Sequence, residues 1–188
     1  MPRRVLFLFV EGLDDERFAE RVIAPRCKRS VYGDVIVRDY ARRPDDDVNE
    51  LLSVIRAHGG AFDYRLFVDR DYEHYHSDDA VIASLRRRIG AVDPARVYIV
   101  RPEIEAWYLA GLDRAACQAL GIAYRVQGAD AITKEIFDSM RPSRYKRADF
   151  MAEILKRFAI AEAKRNNSSF RLFCNENQDI VGSARKRK

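Results

Sequence analysis

Val5-Leu6-Phe7-Leu8-Phe9-Val10, followed at once by Glu11-Gly12, is the stretch that decides the fold. Its six apolar residues run without alternation, as in a strand buried on both faces, and such strands belong to parallel sheets covered by helices on each side. Asp14 and Asp15 then stand where a helix N-terminus favours acids, and Phe18, Val22 and Ile23 recur at helical spacing until Pro25 breaks the pattern.

This strand–turn–helix unit repeats. Val35-Ile36-Val37 with Tyr40 reads as a second, weaker strand; Asp45-Asp46-Asp47 caps a helix whose Val48, Leu51, Leu52 and Ile55 face inward until Gly59-Gly60 ends it. Tyr64-Arg65-Leu66-Phe67-Val68 is a third strand, ending at Asp69-Arg70-Asp71. Ser77-Asp78-Asp79 caps a helix carrying Val81, Ile82, Leu85 and Ile89, and Val97-Tyr98-Ile99-Val100 is a fourth strand. Strands separated by helices of this length predict an α/β fold of Rossmann-like type, with a mostly parallel sheet and helices on both faces.

After Pro102 the pattern turns helical. Ile104, Trp107, Tyr108 and Leu109 form an apolar stripe, which makes Trp107 a core residue, and helices are expected near 113–121, 131–140 and 146–164. A strand signal returns only at Phe170-Arg171-Leu172-Phe173. The expected organisation is an α/β domain over 1–110 and a helical appendage with a basic tail over 111–188, packed on the same domain.

Charge follows the same division. Of the 188 residues, 1–124 hold 19 basic and 21 acidic side chains (net −2), and 125–188 hold 15 and 8 (net +7). Four of the positive charges are the closing Arg185-Lys186-Arg187-Lys188, so the distribution is more informative than the total of +5. A chain 47% hydrophobic and 34% charged is too apolar for a disordered one and too charged for a membrane protein. Val5–Val10 is far short of the roughly 20 residues of a spanning helix and of the about 7–15 of a secretory h-region, so a cytoplasmic protein is expected. Cys27, Cys117 and Cys174 show no metal-binding spacing and are read as reduced, buried thiols.

In an open parallel sheet, ligands bind beyond the carboxyl ends of the strands. Three of the four ends carry acids: Glu11 after the first, Asp69 and Asp71 after the third, Glu103 and Glu105 after the fourth. If the first and third strands are neighbours, Glu11, Asp69 and Asp71 converge. Carboxylates packed that closely raise one another's pKa unless a cation sits among them. Hard oxygen donors with no cysteine nearby favour Mg²⁺ or Mn²⁺, and phosphoryl transfer follows as the reaction class.

The order Phe9-Val10-Glu11-Gly12, then Phe67-Val68-Asp69-Arg70-Asp71 58 residues later, resembles the Toprim domain, the catalytic fold shared by topoisomerases, bacterial primases and OLD-type nucleases. With Arg101-Pro102-Glu103-Ile104-Glu105-Ala106-Trp107-Tyr108 added, it is similar to the RloB-like Toprim proteins, a bacterial group associated with restriction and phage defence. The motifs cover about residues 5–110. The likeness is looser beyond, where it rests on Lys134, Tyr145-Lys146 and a late Phe. It implies that Glu11 is the Toprim glutamate, a general acid or base, and that Asp69 and Asp71 bind the metal together with it. Glu105 matches the family's acid ahead of a tryptophan. It either completes a metal site or orients a basic residue; a helix-start acid is the plain structural alternative.

The expected partner is DNA or RNA, with Arg141, Arg144, Lys146 and Arg147 around Tyr145 as candidates to track its phosphates; a solvated helix face would look similar. His74 and His76, just past the aspartates, could add ligands or a proton shuttle, but read better as members of a solvated loop. A haloacid-dehalogenase-type site also uses D-x-D, but after the first strand rather than the third. No Walker A sequence occurs, so any ATP-driven step needs a separate ATPase chain, and the competing expectation is a Toprim-like regulatory or binding module that cuts only with such a partner, or not at all.

Overall fold

Alternate residues of the strand Arg4–Val10 (β1) enter two different hydrophobic clusters: Leu6, Leu8 and Val10 one, Phe9 the other with Phe7 packed against it. This is the two-sided burial that an unbroken apolar run requires. The computed structural model describes residues 4–27, 32–70, 75–123 and 128–178. β1 pairs in parallel with Tyr32–Asp39 (β2) on one side and Phe62–Asp69 (β3) on the other, and β3 pairs with Val97–Val100 (β4), giving the order β2-β1-β3-β4. The first and third strands are therefore neighbours, as the convergence of Glu11 and Asp69 demands.

Leu13–Phe18 (α1) follows β1, continues through a π-helical turn at Ala19–Ile23, and ends in Ala24–Cys27 (α2). Pro25 does not stop this helix. The wider turn just before it lies where the i→i−4 ladder must adapt to the missing proline N–H. Asp45–Ala57 (α3) and Asp78–Arg88 (α4) cover the second cluster with Val48, Leu52, Ile55, Val81 and Leu85. Ser77 caps α4 by accepting from the Ala80 N–H at 3.2 Å. The expected acidic cap of α3 is not seen: Pro44 is its N-cap, Asp45–Asp47 form its first turn, and no side chain caps it. Asp45 instead holds Arg88 on α4.

The opposite face of the sheet receives α1, Ile104–Ala110 (α5), Arg114–Leu120 (α6), Lys134–Met140 (α7), Arg147–Lys156 (α8), Ile160–Asn166 (α9) and Ser168–Glu176 (α10). One cluster joins strand residues such as Phe67 and Val100 to Phe137, Phe150, Phe170 and Phe173 from these late helices. Trp107 is its centre. It is fully buried, stands 5.0 Å from the Phe170 ring and 5.7 Å from Phe18, and donates its indole N–H to Ser169 Oγ at 2.8 Å.

Two expectations in this half are corrected. Phe170–Phe173 is helical, because Phe170, Phe173 and Cys174 point inward at i, i+3 and i+4 while Arg171 and Leu172 stay exposed, and Asn167 Oδ1 caps the helix by accepting from the Phe170 N–H at 2.8 Å. A four-residue apolar pattern cannot by itself separate these two periods. The single helix expected over 146–164 is two, α8 and α9. Between them the Ala159 N–H donates to Gly111 O at 2.8 Å, and a Cβ on Gly111 would lie 2.2 Å from the Phe158 ring, so this approach needs glycine. All three cysteines are buried, and among the described residues no helix is long and apolar enough to cross a membrane.

Candidate metal centre and acidic cleft

The register of β1 on β2 pairs Val10 with Asp39, and the Tyr40 N–H donates to Val10 O at 3.0 Å, so the next residue of each strand meets its neighbour. Tyr40 OH donates to Glu11 Oε1 at 2.8 Å, and a backbone hydrogen bond from Asp69 reaches the same carboxylate from the β3 side. Glu11 is thus held between the ends of three strands. It shares a cleft of about 620 Å³ with Tyr40, Asp69, Arg70, Arg88 and Glu103, at the place where the strand order reverses direction. Asp71 and His74 lie outside the described residues; His76 is exposed, and its carbonyl accepts from Arg70 at 3.1 Å.

Two acids on β3 show what is unusual here. At the amino end, Asp63 is buried and fully answered: Tyr32 OH donates at 2.6 Å, Arg65 stands at 3.0 Å, Arg4 at 3.5 Å, and Arg96 pairs with it as well. At the carboxyl end, Asp69 Oδ1 is shut off from solvent with no hydrogen-bond partner among the described residues. A buried carboxylate oxygen without a donor is costly unless it is protonated or meets a cation.

Asp15, one helical turn beyond Glu11, adds to the crowding. Only 7% exposed, it is pushed up to about 8 by burial, and next by the charges of Glu11, Glu105 and Asp14. Burial likewise raises Asp69 well above the ordinary carboxylate range, followed by Asp15, Glu11 and Glu105. Glu11 is also raised by burial, although Tyr40, Asp69 and Arg88 pull the other way. The Tyr40 hydroxyl is raised in turn by burial and by Glu11, which keeps it a donor.

Glu105 has a partner. Buried at the start of α5, it pairs with Arg147 of α8, whose guanidinium also reaches Asp14 at 3.2 Å and Asp138 while lying over the Phe137 ring. Of the other basic candidates, Arg141 donates to Tyr145 O at 2.6 Å, and Arg144 donates to Leu120 O at 2.7 Å with its guanidinium over the Tyr145 ring. Lys146, at the N-cap of α8, is exposed.

Sequence reasoning missed two members of the site. Asp15 looked like an ordinary first-turn acid, yet it is buried; its spacing of four from Glu11 was the available signal. Tyr40 looked like the end of a weak strand, and only the β1–β2 register brings it to Glu11.

The donor set is all oxygen and rich in carboxylates, which fits a hard divalent cation. Among the described residues, however, no three His, Cys, Asp or Glu side chains are arranged to hold a metal ion.

The folded chain holds a proton on Asp15 at pH values where an unfolded chain, with an ordinary Asp near pH 4, has lost it. Its contribution to stability is therefore full below about pH 4 and lost as pH rises toward about 8. Thermal unfolding should show wild type losing more stability over that window than Asp15→Asn. Equal pH profiles for the two chains would contradict the burial of this acid.

Fold and site together define an open parallel-sheet α/β protein with an acidic cleft at the β1/β3 switch point. No protein-family profile matches the chain, and no curated protein matches it. Among solved structures it is similar to the C-terminal region of the Burkholderia pseudomallei OLD protein, with a TM-score of 0.48 and 13% identity, over 94% of this chain and 98% of that one.

Proposed function

We propose that this chain is a Mg²⁺- or Mn²⁺-dependent, nuclease-like phosphoryl transferase of the Toprim type acting on nucleic acid. The observation that carries the reading is the contrast on β3: a buried acid neutralised by arginines at one end of the strand, and an unanswered Asp69 oxygen beside Glu11 at the other. Glu11, Asp69 and Asp71 would hold the cation, with Asp15 as a further oxygen donor. When bound, the ion supplies Lewis-acid polarisation of a phosphoryl oxygen and a water of lowered pKa. Glu11, oriented by the Tyr40 hydroxyl, moves the proton to or from the attacking or leaving oxygen. Arg147 balances Glu105 and so belongs with the acids. Lys146, Arg144 and Arg141 remain to attract the polyanion to a cleft that would otherwise repel it.

A second reading has its own observation. The sequence has no Walker A motif, so an ATP-driven step would need a separate ATPase chain, and the likeness to RloB-like proteins suggests a bacterial defence setting for such a module. Incubation of the purified chain with DNA and RNA in Mg²⁺, Mn²⁺ or EDTA separates the two. Cutting that needs the metal and falls by about 10²–10⁴-fold in Glu11→Gln is the expected result. Metal-dependent cutting that survives in both Glu11→Gln and Asp69→Asn would overturn the site, and cutting only after an ATPase is added would favour the module.

A further inference from the structure

The cleft is not lined by acids alone. Arg88, the last residue of α4, and Tyr75, just ahead of that helix, face the same volume as Glu11 and Asp69. Both are held in place. Asp45 takes Arg88 Nε at 3.1 Å and Nη2 at 2.8 Å, which fixes the guanidinium plane; Nη1 makes no hydrogen bond among the described residues. Tyr75 OH donates to Ser84 Oγ at 3.0 Å, and the ring is partly buried against the core beneath α3 and α4. Arg88 is close enough to Glu11 for its charge to lower that carboxyl's pKa.

We propose that the cleft contains, beside the carboxylates, a subsite for one phosphodiester-linked nucleotide of the bound strand, with the open edge of Arg88 on its phosphate and the Tyr75 ring against its base. The inference rests on the nuclease reading above and deepens it. A planar guanidinium presents parallel N–H groups that match phosphate oxygens, and one already oriented by Asp45 loses little freedom on binding. An aromatic face accepts any base by stacking, which gives a subsite without sequence preference. The volume suits such an occupant, since clefts for small ligands span about 300–1,000 Å³. Arg88 also suits the task better than the α8 region does, because Arg147 is turned onto Glu105 and Arg144 onto Leu120 O, whereas half of the Arg88 side chain is exposed.

Fluorescence anisotropy with labelled oligothymidylate and oligouridylate, titrated with salt in EDTA, tests the subsite apart from cutting. Arg88→Ala should weaken binding about tenfold and reduce the slope of log K against log salt by about 0.7, the signature of one lost phosphate contact on a single strand. Arg88→Lys should restore the slope but only part of the affinity. Tyr75→Ala should weaken binding several-fold with the slope unchanged, and Tyr75→Phe should bind as wild type does. Thermal melts report whether each variant is folded; Arg88, whose hydrogen bonds among the described residues go to Asp45, is not expected to matter there. A loss with one oligonucleotide only assigns the subsite to that class of strand. Unchanged affinity and slope in Arg88→Ala, with wild type binding and cutting, would overturn the subsite and leave the nuclease reading standing. A wild-type chain that binds neither oligonucleotide and cuts nothing with either metal would overturn both.

Discussion

Asp69→Asn is expected to reduce metal-dependent cutting by about 10²-fold or more while leaving the chain at least as stable as wild type. The two effects have one cause. Asp69 Oδ1 is buried with no hydrogen-bond partner among the described residues, and burial first, then the neighbouring charges of Asp15, Glu11 and Glu105, disfavour its ionised form. At alkaline pH, where the wild-type carboxyl is driven toward its ionised form, the substitution relieves the crowding, so Tm without metal should rise there by a few degrees, on a scale where 1 kcal/mol is about 2–4 °C for a chain of this size. The same change exchanges an anionic carboxylate donor for a neutral amide, a much weaker ligand for a hard cation, and the metal-induced gain in Tm should disappear with the activity. Scanning calorimetry of both chains with Mg²⁺ and with EDTA checks this. A clear drop in Tm in EDTA, with cutting intact, would show that Asp69 is structural.

Arg147→Ala should have the opposite profile, because here a charge already has its answer. Glu105 is 5% exposed and relies on the Arg147 guanidinium, which also ties Asp14 of α1 and Asp138 of α7 to α8. Removing one partner of a buried pair leaves the other uncompensated, typically at about 3–5 kcal/mol. Arg147 is a quarter exposed and solvent softens the loss, so about 2–4 kcal/mol is expected, a fall in Tm of roughly 5–12 °C. Glu105→Gln in the same chain should recover much of it, since the uncompensated charge is then gone. Arg147→Lys should recover less, because an ammonium cannot present a planar fork to several carboxylates. A Tm unchanged in Arg147→Ala would mean that α8 is held by Phe150, Met151 and Ile154 alone.

This pairing also shows where reading the chain as a string of residues stops. Arg147 looks like one of four positive charges around Tyr145, and nothing local distinguishes it from Arg144 or Lys146. Its turn toward Glu105, 42 positions earlier, follows from the packing of α8 against α5. Asp15 is similar: an acid in a first helical turn is ordinary, and only the burial of α1 against the sheet takes this one out of water.

The elements that carry local periodicity were legible from residues alone. Val97–Val100 is the fourth strand as its four apolar residues predict, and β1, β3, α3 and α4 lie where their apolar spacing and turn residues put them. The strand ends bearing Glu11 and Asp69 were legible for the same reason, because a two-sided apolar run that stops at an acid marks its own boundary. Short or interrupted patterns misled. Phe170–Phe173 satisfies either period over four residues, and Pro25 is absorbed by a π turn that no pairwise rule foresees.

The sequence by itself determined the α/β alternation, the parallel sheet with two buried faces, and the acids at the carboxyl ends of its strands, since each is set by residues near in the chain. Which acids meet, which of them pair with an arginine, and which arginines keep an open edge are settled by tertiary packing. Those outcomes depend on strand order, on the register that brings Tyr40 to Glu11, and on the removal of water from Asp15 and Asp69, none of which a local pattern contains.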